Sequence, residues 1–445
     1  MDPSVAESLH TSRAAILARL ESVRARTLAL VESLTEDALN RVHDPLMSPV
    51  VWDLGHIATF EDLWLAQNAF GSAPLRAGLD RVYDPFSAPR SERGELPYLR
   101  SEDCLAYMQE VRARTVALLD SADLSGDGEP LLAGGFVYEM ILRHEQQHSE
   151  TILQTLQLMA GGEFAPRHEH SVPASVPAPP RDMVLVPEGR FELGAESALS
   201  GTGFAYDNEL PSHDVHVPAF YIDATPVTNG DFIAFIEDGG YERPELWSEG
   251  GRRWLVRGRR LPRYWERDGY EFTVREFDTI APVDPERPLC HVCWYEADSF
   301  ARYAGKRLPT EAEWEKAASW DAAEDEKRLH PWGPEPTTRE RANLDQLAFG
   351  TAPAGAYADG ASPCGALQML GDVWEWTASR FEAYPGFEAF PYREYSEEFF
   401  GGPFRVLRGG SWATQPGAVS VTFRNWDYAE RRQIFAGLRC ARDAE

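Results

Sequence analysis

A chain of 445 residues with 43% hydrophobic side chains can bury two or three domain cores. Its 71 acidic residues against 43 basic ones leave a formal net charge of −28, which opposes binding to nucleic acid or an anionic membrane and makes small-molecule chemistry the default. No run of about 18 apolar residues occurs, and the start lacks the pattern of a secretion signal. Five cysteines (104, 290, 293, 364 and 440) make no disulfide framework, so a cytoplasmic protein, expected as a monomer, is indicated.

Residues 11–35 place Ile16, Leu20, Val23, Thr27, Leu30 and Leu34 at helical spacing, with Arg and Glu between them, which predicts an amphipathic first helix. Ser48-Pro49 reads as the next helix start, a serine cap with proline at the first helical position. That helix carries Trp52, Leu54, Ile57, Phe60 and Trp64, and among them His56. A lone histidine is usually structural, yet an imidazole facing a bundle interior needs a polar partner. Residues 71–100 lose periodicity and hold Pro74, Pro85, Pro89 and Pro97, a long connection. Within it Arg90 and Arg93 read plainly as solvated, although paired guanidiniums also bind carboxylates in bidentate fashion. Ser101 is expected to cap a third helix running through Leu105, Met108, Val111, Thr115 and Leu118.

A fourth helix is predicted over 136–160, where Val137, Ile141, His144, His148, Ile152 and Thr155 form one stripe without Pro or Gly. Residues four apart share a helix face, so His144 and His148 present two imidazoles to one point. A buried pair has four ring nitrogens to satisfy, and a metal ion satisfies them better than packing does. The spelling His144-Glu145-Gln146-Gln147-His148 also matches His-Glu-x-x-His, in which the glutamate is the general base of a zinc hydrolase. Three histidines with open positions suit either zinc or a non-haem iron. The third ligand decides, and spacing alone leaves it open.

Four helices with one long crossover predict a helical bundle over 1–165. A Pro-rich linker follows over 166–181, in which His168 and His170 read as solvated. Residues 182–445 change character: Gly, Trp and short alternating strands such as Met183–Val186 and Arg190–Leu193, with two helices near 229–237 and 294–304, predict a mixed fold rich in irregular backbone. Cys290 and Cys293, without a second pair, read as two plain thiols in or near a strand, with a redox role open.

Several words in this second part resemble the formylglycine-generating-enzyme-like domain, a variant of the C-type-lectin fold: Val186-Pro187-Glu188-Gly189, Thr225-Pro226-Val227-Thr228-Asn229, the run Lys306 to Glu315, Gly371-Asp372-Val373-Trp374-Glu375-Trp376 and Leu407-Arg408-Gly409-Gly410-Ser411-Trp412. The first part looks like the DinB-type bundle, and the two in this order resemble the ergothioneine-pathway sulfoxide synthases of the EgtB type. The fold class is therefore multidomain, a DinB-like four-helix bundle followed by a lectin-like α+β domain.

The resemblance implies an Fe(II) site of His56, His144 and His148, which displaces the zinc-hydrolase alternative. It implies dioxygen-dependent joining of the thiol of γ-glutamylcysteine to the imidazole C2 of hercynine, with cysteine or a selenium donor as the alternative. Gln147 and Asn425, with Trp426 nearby, match positions that hold hercynine. Arg90, Arg93, Asp427 and Arg431 match those that recognise γ-glutamylcysteine. Tyr392, with Tyr395 beside it, matches a tyrosine thought to donate a proton and to disfavour plain oxidation of the thiol. For Arg424, Trp374, Trp376 and Trp412 a packing role shared by the whole lectin-like fold is the better reading. Two further classes compete. Formylglycine-type cysteine oxidation needs a copper-binding cysteine pair that Cys290, Cys293, Cys364 and Cys440 do not clearly provide, and a module that only binds leaves the histidines unexplained.

Overall fold

The computed structural model describes residues 12–125, 128–159, 161–167, 171–173, 183–200, 203–257 and 260–444. His168, His170 and most of the expected linker lie outside them. Contacts divide the chain into two compact units, Met1–Ala165 with Leu199–Phe204, and Pro166–Ala198 with Ala205–Glu445.

The first unit is helical. Helix α1 (Arg13–Val31) begins at Ser12, whose hydroxyl accepts the Ala15 N–H, and buries Ile16, Leu20, Val23, Thr27 and Leu30 on one stripe. Helix α2 (Val50–Glu61) is buried on every side and continues into a wider π-helical stretch, Asp62–Ala69. Helix α3 is Ser101–Ser121 and α4 is Phe136–Leu158. A hairpin of Leu199–Ser200 with Gly203–Phe204 belongs to this unit, Phe204 packing on Phe136 at 5.1 Å between ring centroids.

Two expected caps are replaced. Pro49, not Ser48, holds the N-cap position of α2, and the Ser48 hydroxyl accepts from Arg93 Nη1 at 2.9 Å. Arg100 precedes α3, and Ser101 is its first helical residue, its Oγ bonded to Asn40 Nδ2. In both cases a long-range partner wins over the local cap. The connection 71–100 is not featureless: it contains a turn of helix at Leu79–Val82 and a 3-10 helix at Arg90–Glu95.

The centre of the bundle buries charge. Arg24 of α1 donates from Nε to Glu145 Oε1 (2.7 Å) and from Nη2 to Glu61 Oε2 (2.9 Å). Arg112 of α3 donates to both Glu61 oxygens (2.8 and 3.0 Å) and to Glu145 Oε2 (2.8 Å). Two guanidiniums and two carboxylates, one from each helix, thus cancel and satisfy one another, the condition under which buried charges are tolerated.

In the second unit, β1 (Met183–Val186), β4 (Phe220–Asp223) and β12 (Ala441–Asp443) form one antiparallel sheet. Strands β2 (Gly189–Leu193) and β3 (His213–Val217) pair, as do β5 (Trp265–Asp268), β6 (Glu271–Glu276) and β7 (Thr279–Pro282). The largest sheet runs β10 (Asn425–Tyr428), β9 (Phe404–Arg408), β8 (Trp374–Arg380), β11 (Ala436–Gly437), the last pair parallel. The helices at Asn229–Glu237 and Trp294–Tyr303 match expectation, whereas Glu249–Leu255 and Glu311–Ser319 were not foreseen. Cys293 is the N-cap of the Trp294 helix, so the Cys-x-x-Cys pair precedes a helix and not a strand. Arg424 is buried, as are Trp374, Trp376 and Trp412, in line with packing roles.

The bundle network makes two expectations measurable. Exchanging Glu145 for Gln leaves two arginines facing one carboxylate, and E145Q should lose about 3 kcal/mol of unfolding free energy in urea titrations; an unchanged midpoint would mean the network does not hold the bundle. Burial alone would raise the Glu61 carboxyl, but Arg112 and Arg24 overcome it and bring it to about 2 from an ordinary 4.5. A lowered carboxyl stabilises the fold above its unfolded value and stops doing so as pH falls through its folded one. The stability difference between the wild type and E61Q should therefore be constant above pH 4.5 and shrink from there towards pH 2.

Candidate metal centre

The histidine stripe of α4 faces α2, and the sequence builds the rest from there. His144 and His148, one turn apart, meet His56 of α2, with ring centroids 4.6–4.9 Å apart. One nitrogen of each lies within 4.8 Å of the other two, and among the described residues this is the cluster of His, Cys, Asp or Glu that could hold a metal ion. His56 and His144 are buried and His148 is half-buried.

The ring orientations show which nitrogens are offered. His56 Nδ1 is 2.7 Å from the Tyr83 carbonyl, which can only accept, so the proton is on Nδ1 and Nε2 keeps its lone pair. His148 Nδ1 is 3.2 Å from Asp53 Oδ1 and donates to it in the same way. His56 Nε2 and His144 Nε2 stand 3.2 Å apart. Two nitrogens bound at right angles to one ion, each about 2.1 Å away, are about 3 Å apart, so the His56 and His144 pair stands at the spacing of ligands that share an ion. The donor chemistry fits too: three imidazoles, two of them fixed by an outer hydrogen bond, as metal-ligating histidines usually are.

Burial keeps His56 and His144 neutral. His56 is pushed well below the usual histidine range by desolvation, then by His148 and Arg93, against the Tyr83 hydrogen bond. His144 is lowered by desolvation, then by His148 and His56.

The loop after α2 locks this arrangement. Trp52 stacks on His56 (5.2 Å, 9°) and donates from Nε1 to the Val82 carbonyl at 3.0 Å. Tyr83 lies so close to α2 that a Cβ on Gly55 would stand 2.2 Å from its ring, so only glycine permits the approach that brings its carbonyl to His56. Arg93 stacks over Trp52 at 3.9 Å and donates to the Ala88 and Pro85 carbonyls as well as to Ser48. Arg90 is half-buried and donates to the Leu46 carbonyl at 3.2 Å. Gln147 is half-buried on α4, one residue before His148. The Glu145 carboxylate, which a zinc hydrolase would need as a base, is taken by Arg24 and Arg112.

The remaining candidates lie in the second unit. Asn425, Trp426 and Asp427 sit on β10, opposite Leu407, Val406 and Arg405. Trp426 stacks on Phe381 (4.1 Å, 9°) and meets Tyr395 edge-on at 5.9 Å. Asp427 and Arg431 form an ion pair at 3.4 Å. Tyr392 stands 6.1 Å from Tyr395 between ring centroids, and desolvation, then Tyr206, Asp207 and Glu394, raise its phenol well above the usual range, which keeps it protonated. Sequence reasoning missed Asp53, Gly55 and Tyr83. Asp53 was findable, since it precedes His56 by three residues and is an acid in a mostly apolar stretch. The Tyr83 carbonyl carries no sequence signal.

Residues 169–444 match the sulfatase-modifying factor enzyme 1-like domain and residues 19–152 the DinB superfamily. The chain is 44% identical to a hercynine oxygenase of Mycolicibacterium thermoresistibile, over 97% of this chain and 96% of the relative, and 43% identical to that of Mycobacterium tuberculosis, over 97% and 100%. It is 31% identical to a formylglycine-generating enzyme of Streptomyces coelicolor, over 61% of this chain and 93% of the relative. No helix among the described residues is long and apolar enough to cross a membrane. With identity of this degree along nearly its whole length, and with both expected domain types in the expected order, the chain belongs to the hercynine oxygenase family.

Proposed function

We propose that this protein is an iron(II)- and dioxygen-dependent sulfoxide synthase that joins the thiol of γ-glutamylcysteine to the imidazole C2 of hercynine, and that its domains divide at 165 and 182. The observation that carries the reading is the His56, His144 and His148 triad, one nitrogen of each within 4.8 Å of the other two and the His56–His144 pair 3.2 Å apart, in a chain related along its length to hercynine oxygenases. The balance closes without a reductant. Forming the carbon-sulfur bond from S–H and C–H releases two electrons and two protons, and oxidising the sulfur releases two more electrons. Dioxygen takes all four, one oxygen atom entering the sulfoxide and the other leaving as water. Iron(II), when bound to three histidines on one face, supplies reactivity towards dioxygen and favours the thiolate form of the donor.

The chain's own residues do the rest on this reading. Asp53 and the Tyr83 carbonyl hold two imidazoles in the tautomer that offers Nε2. Gln147, Asn425 and Trp426 hold hercynine, the indole face suiting its trimethylammonium group. Arg90, Arg93, Asp427 and Arg431 hold γ-glutamylcysteine, whose two carboxylates and one amine ask for cations and one anion. Tyr392, protonated and beside Tyr395, donates the proton.

Three measurements test this. The protein loaded anaerobically with iron(II), then given air, hercynine and γ-glutamylcysteine, should yield one coupled sulfoxide per dioxygen consumed, read by mass spectrometry. Sulfinate as the sole product would remove hercynine as acceptor, and no uptake with any thiol would remove the reading altogether. D53N should weaken iron(II) binding in competition titrations by roughly tenfold to a hundredfold, because the His148 ring loses its anionic partner. R90A should raise KM for γ-glutamylcysteine by about tenfold with kcat little changed. An unchanged KM would take Arg90 out of the substrate site.

A further inference from the structure

Tyr392 and Tyr395 stand on a loop tied at both ends to one buried carboxylate. Asp207 is 2% exposed. Its Oδ2 accepts the Phe390 N–H at 3.3 Å, ahead of the tyrosines, and its Oδ1 accepts the Ser396 hydroxyl, behind them. Ser396 is wholly buried and also accepts from Asn208 Nδ2 at 3.0 Å. The turn that carries Asp207, residues Asp207–Glu209, reaches the other way as well. The Asn208 carbonyl accepts from Arg424 Nη1 at 2.6 Å, and Glu209 Oε2 accepts from the Thr422 hydroxyl at 2.6 Å. Tyr206, just before the turn, stacks on Tyr395 at 4.3 Å and 18°. One turn therefore fastens the tyrosine loop on one side and the approach to Asn425 and Trp426 on the other.

Holding a carboxyl there is costly. Burial raises the Asp207 group to about 6 even though Ser396, Phe390 and Asn208 all bond to it. A backbone carbonyl could accept from one of these donors, but the side chain accepts from both ends of the loop at once.

Resting on the function proposed above, we infer that Asp207, acting through Phe390 and Ser396, is the positioning residue that sets where the loop tyrosines stand relative to Asn425 and Trp426. It thereby sets how often turnover ends in the coupled sulfoxide instead of in oxidation of the thiol alone. Both outcomes consume one dioxygen: thiol plus dioxygen gives the sulfinic acid, whereas thiol, imidazole and dioxygen give the sulfoxide and water. Oxygen uptake is therefore blind to the difference, and the product ratio reads it.

The test compares D207N, S396A, S396T, Y392F and Y395F in the full chain loaded with iron(II), with the sulfoxide and sulfinate quantified by mass spectrometry. D207N keeps an acceptor for Ser396 but can present an amide to the Phe390 N–H, and S396A removes the other tie. Both should move the ratio towards sulfinate by about tenfold, the scale of a small misplacement of a reacting group. S396T, which keeps the hydroxyl, should restore it, and iron(II) affinity should not change. If one tyrosine variant shifts the ratio while D207N and S396A do not, the assignment of Asp207 is overturned and the tyrosine reading survives. If neither tyrosine variant shifts it, the tyrosine reading fails and takes this inference with it. Should D207N not fold, S396A decides alone.

Discussion

A helix buried on every side carries its polar side chains inward with it, and in α2 these are Asp53, His56, Thr59 and Glu61. One of these is answered from α4 and another is coupled to it. Asp53 accepts from His148, while Glu61 shares its two arginines with Glu145. Successive residues on a helix point about 100° apart, so His144 and Glu145 leave α4 in different directions. Fixing Glu145 against Arg24 and Arg112 therefore fixes the roll of α4 and turns His144 and His148 towards His56. Thr27 and Ser149, bonded at 3.0 Å, add a second tie between α1 and α4 on the same side. The histidine cluster is a consequence of that roll, which explains why four charges are kept where apolar packing alone could be as stable.

The second unit uses buried ion pairs for a different end. Arg424 donates to Glu311 at 2.6 Å, Arg439 to Glu375 at 2.8 Å, and Arg408 is paired with Glu315. Trp314 donates from Nε1 to the same Glu375 oxygen at 2.6 Å. Much of this unit is loop, which cannot satisfy itself through regular ladders. Fully buried guanidiniums reaching across to carbonyls and carboxylates do that work, and β9 and β10 gain a rigid base from which Asn425 and Trp426 project.

That pairing also accounts for what the sequence could and could not disclose. The motif words around Glu311 and Glu315, Glu375, and Arg408 identified the fold, but their meaning as two halves of buried pairs depends on contacts between residues up to 113 positions apart, as for Arg424 and Glu311. The amphipathic stripes of α1 and α4 were legible because burial follows the helical period directly. The same logic misplaced two helix starts: Ser48 and Ser101 have the chemistry of caps, but Arg93 and Asn40 bind their hydroxyls. The site was legible where it depends on side-chain spacing within one helix, as for His144 and His148. It was illegible where it depends on a backbone atom, as at Tyr83, or on a missing side chain, as at Gly55.

The three histidines, once assembled, are not equivalent. His56 and His148 each donate a proton outward, to a neutral carbonyl and to a carboxylate, whereas the buried His144 Nδ1 has no hydrogen-bond partner among the described residues and its ring stacks on Phe60 (3.6 Å, 8°). An anionic acceptor makes an imidazole a stronger electron donor than a carbonyl does. Of the two hydrogen-bonded rings, His148 is thus the stronger donor. His144 packs against the Phe60 ring, and its Nε2 faces that of His56 at 3.2 Å. Two rings bonded outward and one packed on Phe60 give the cluster two kinds of support, and that asymmetry traces to Asp53, Tyr83 and Phe60, none of which belongs to the cluster.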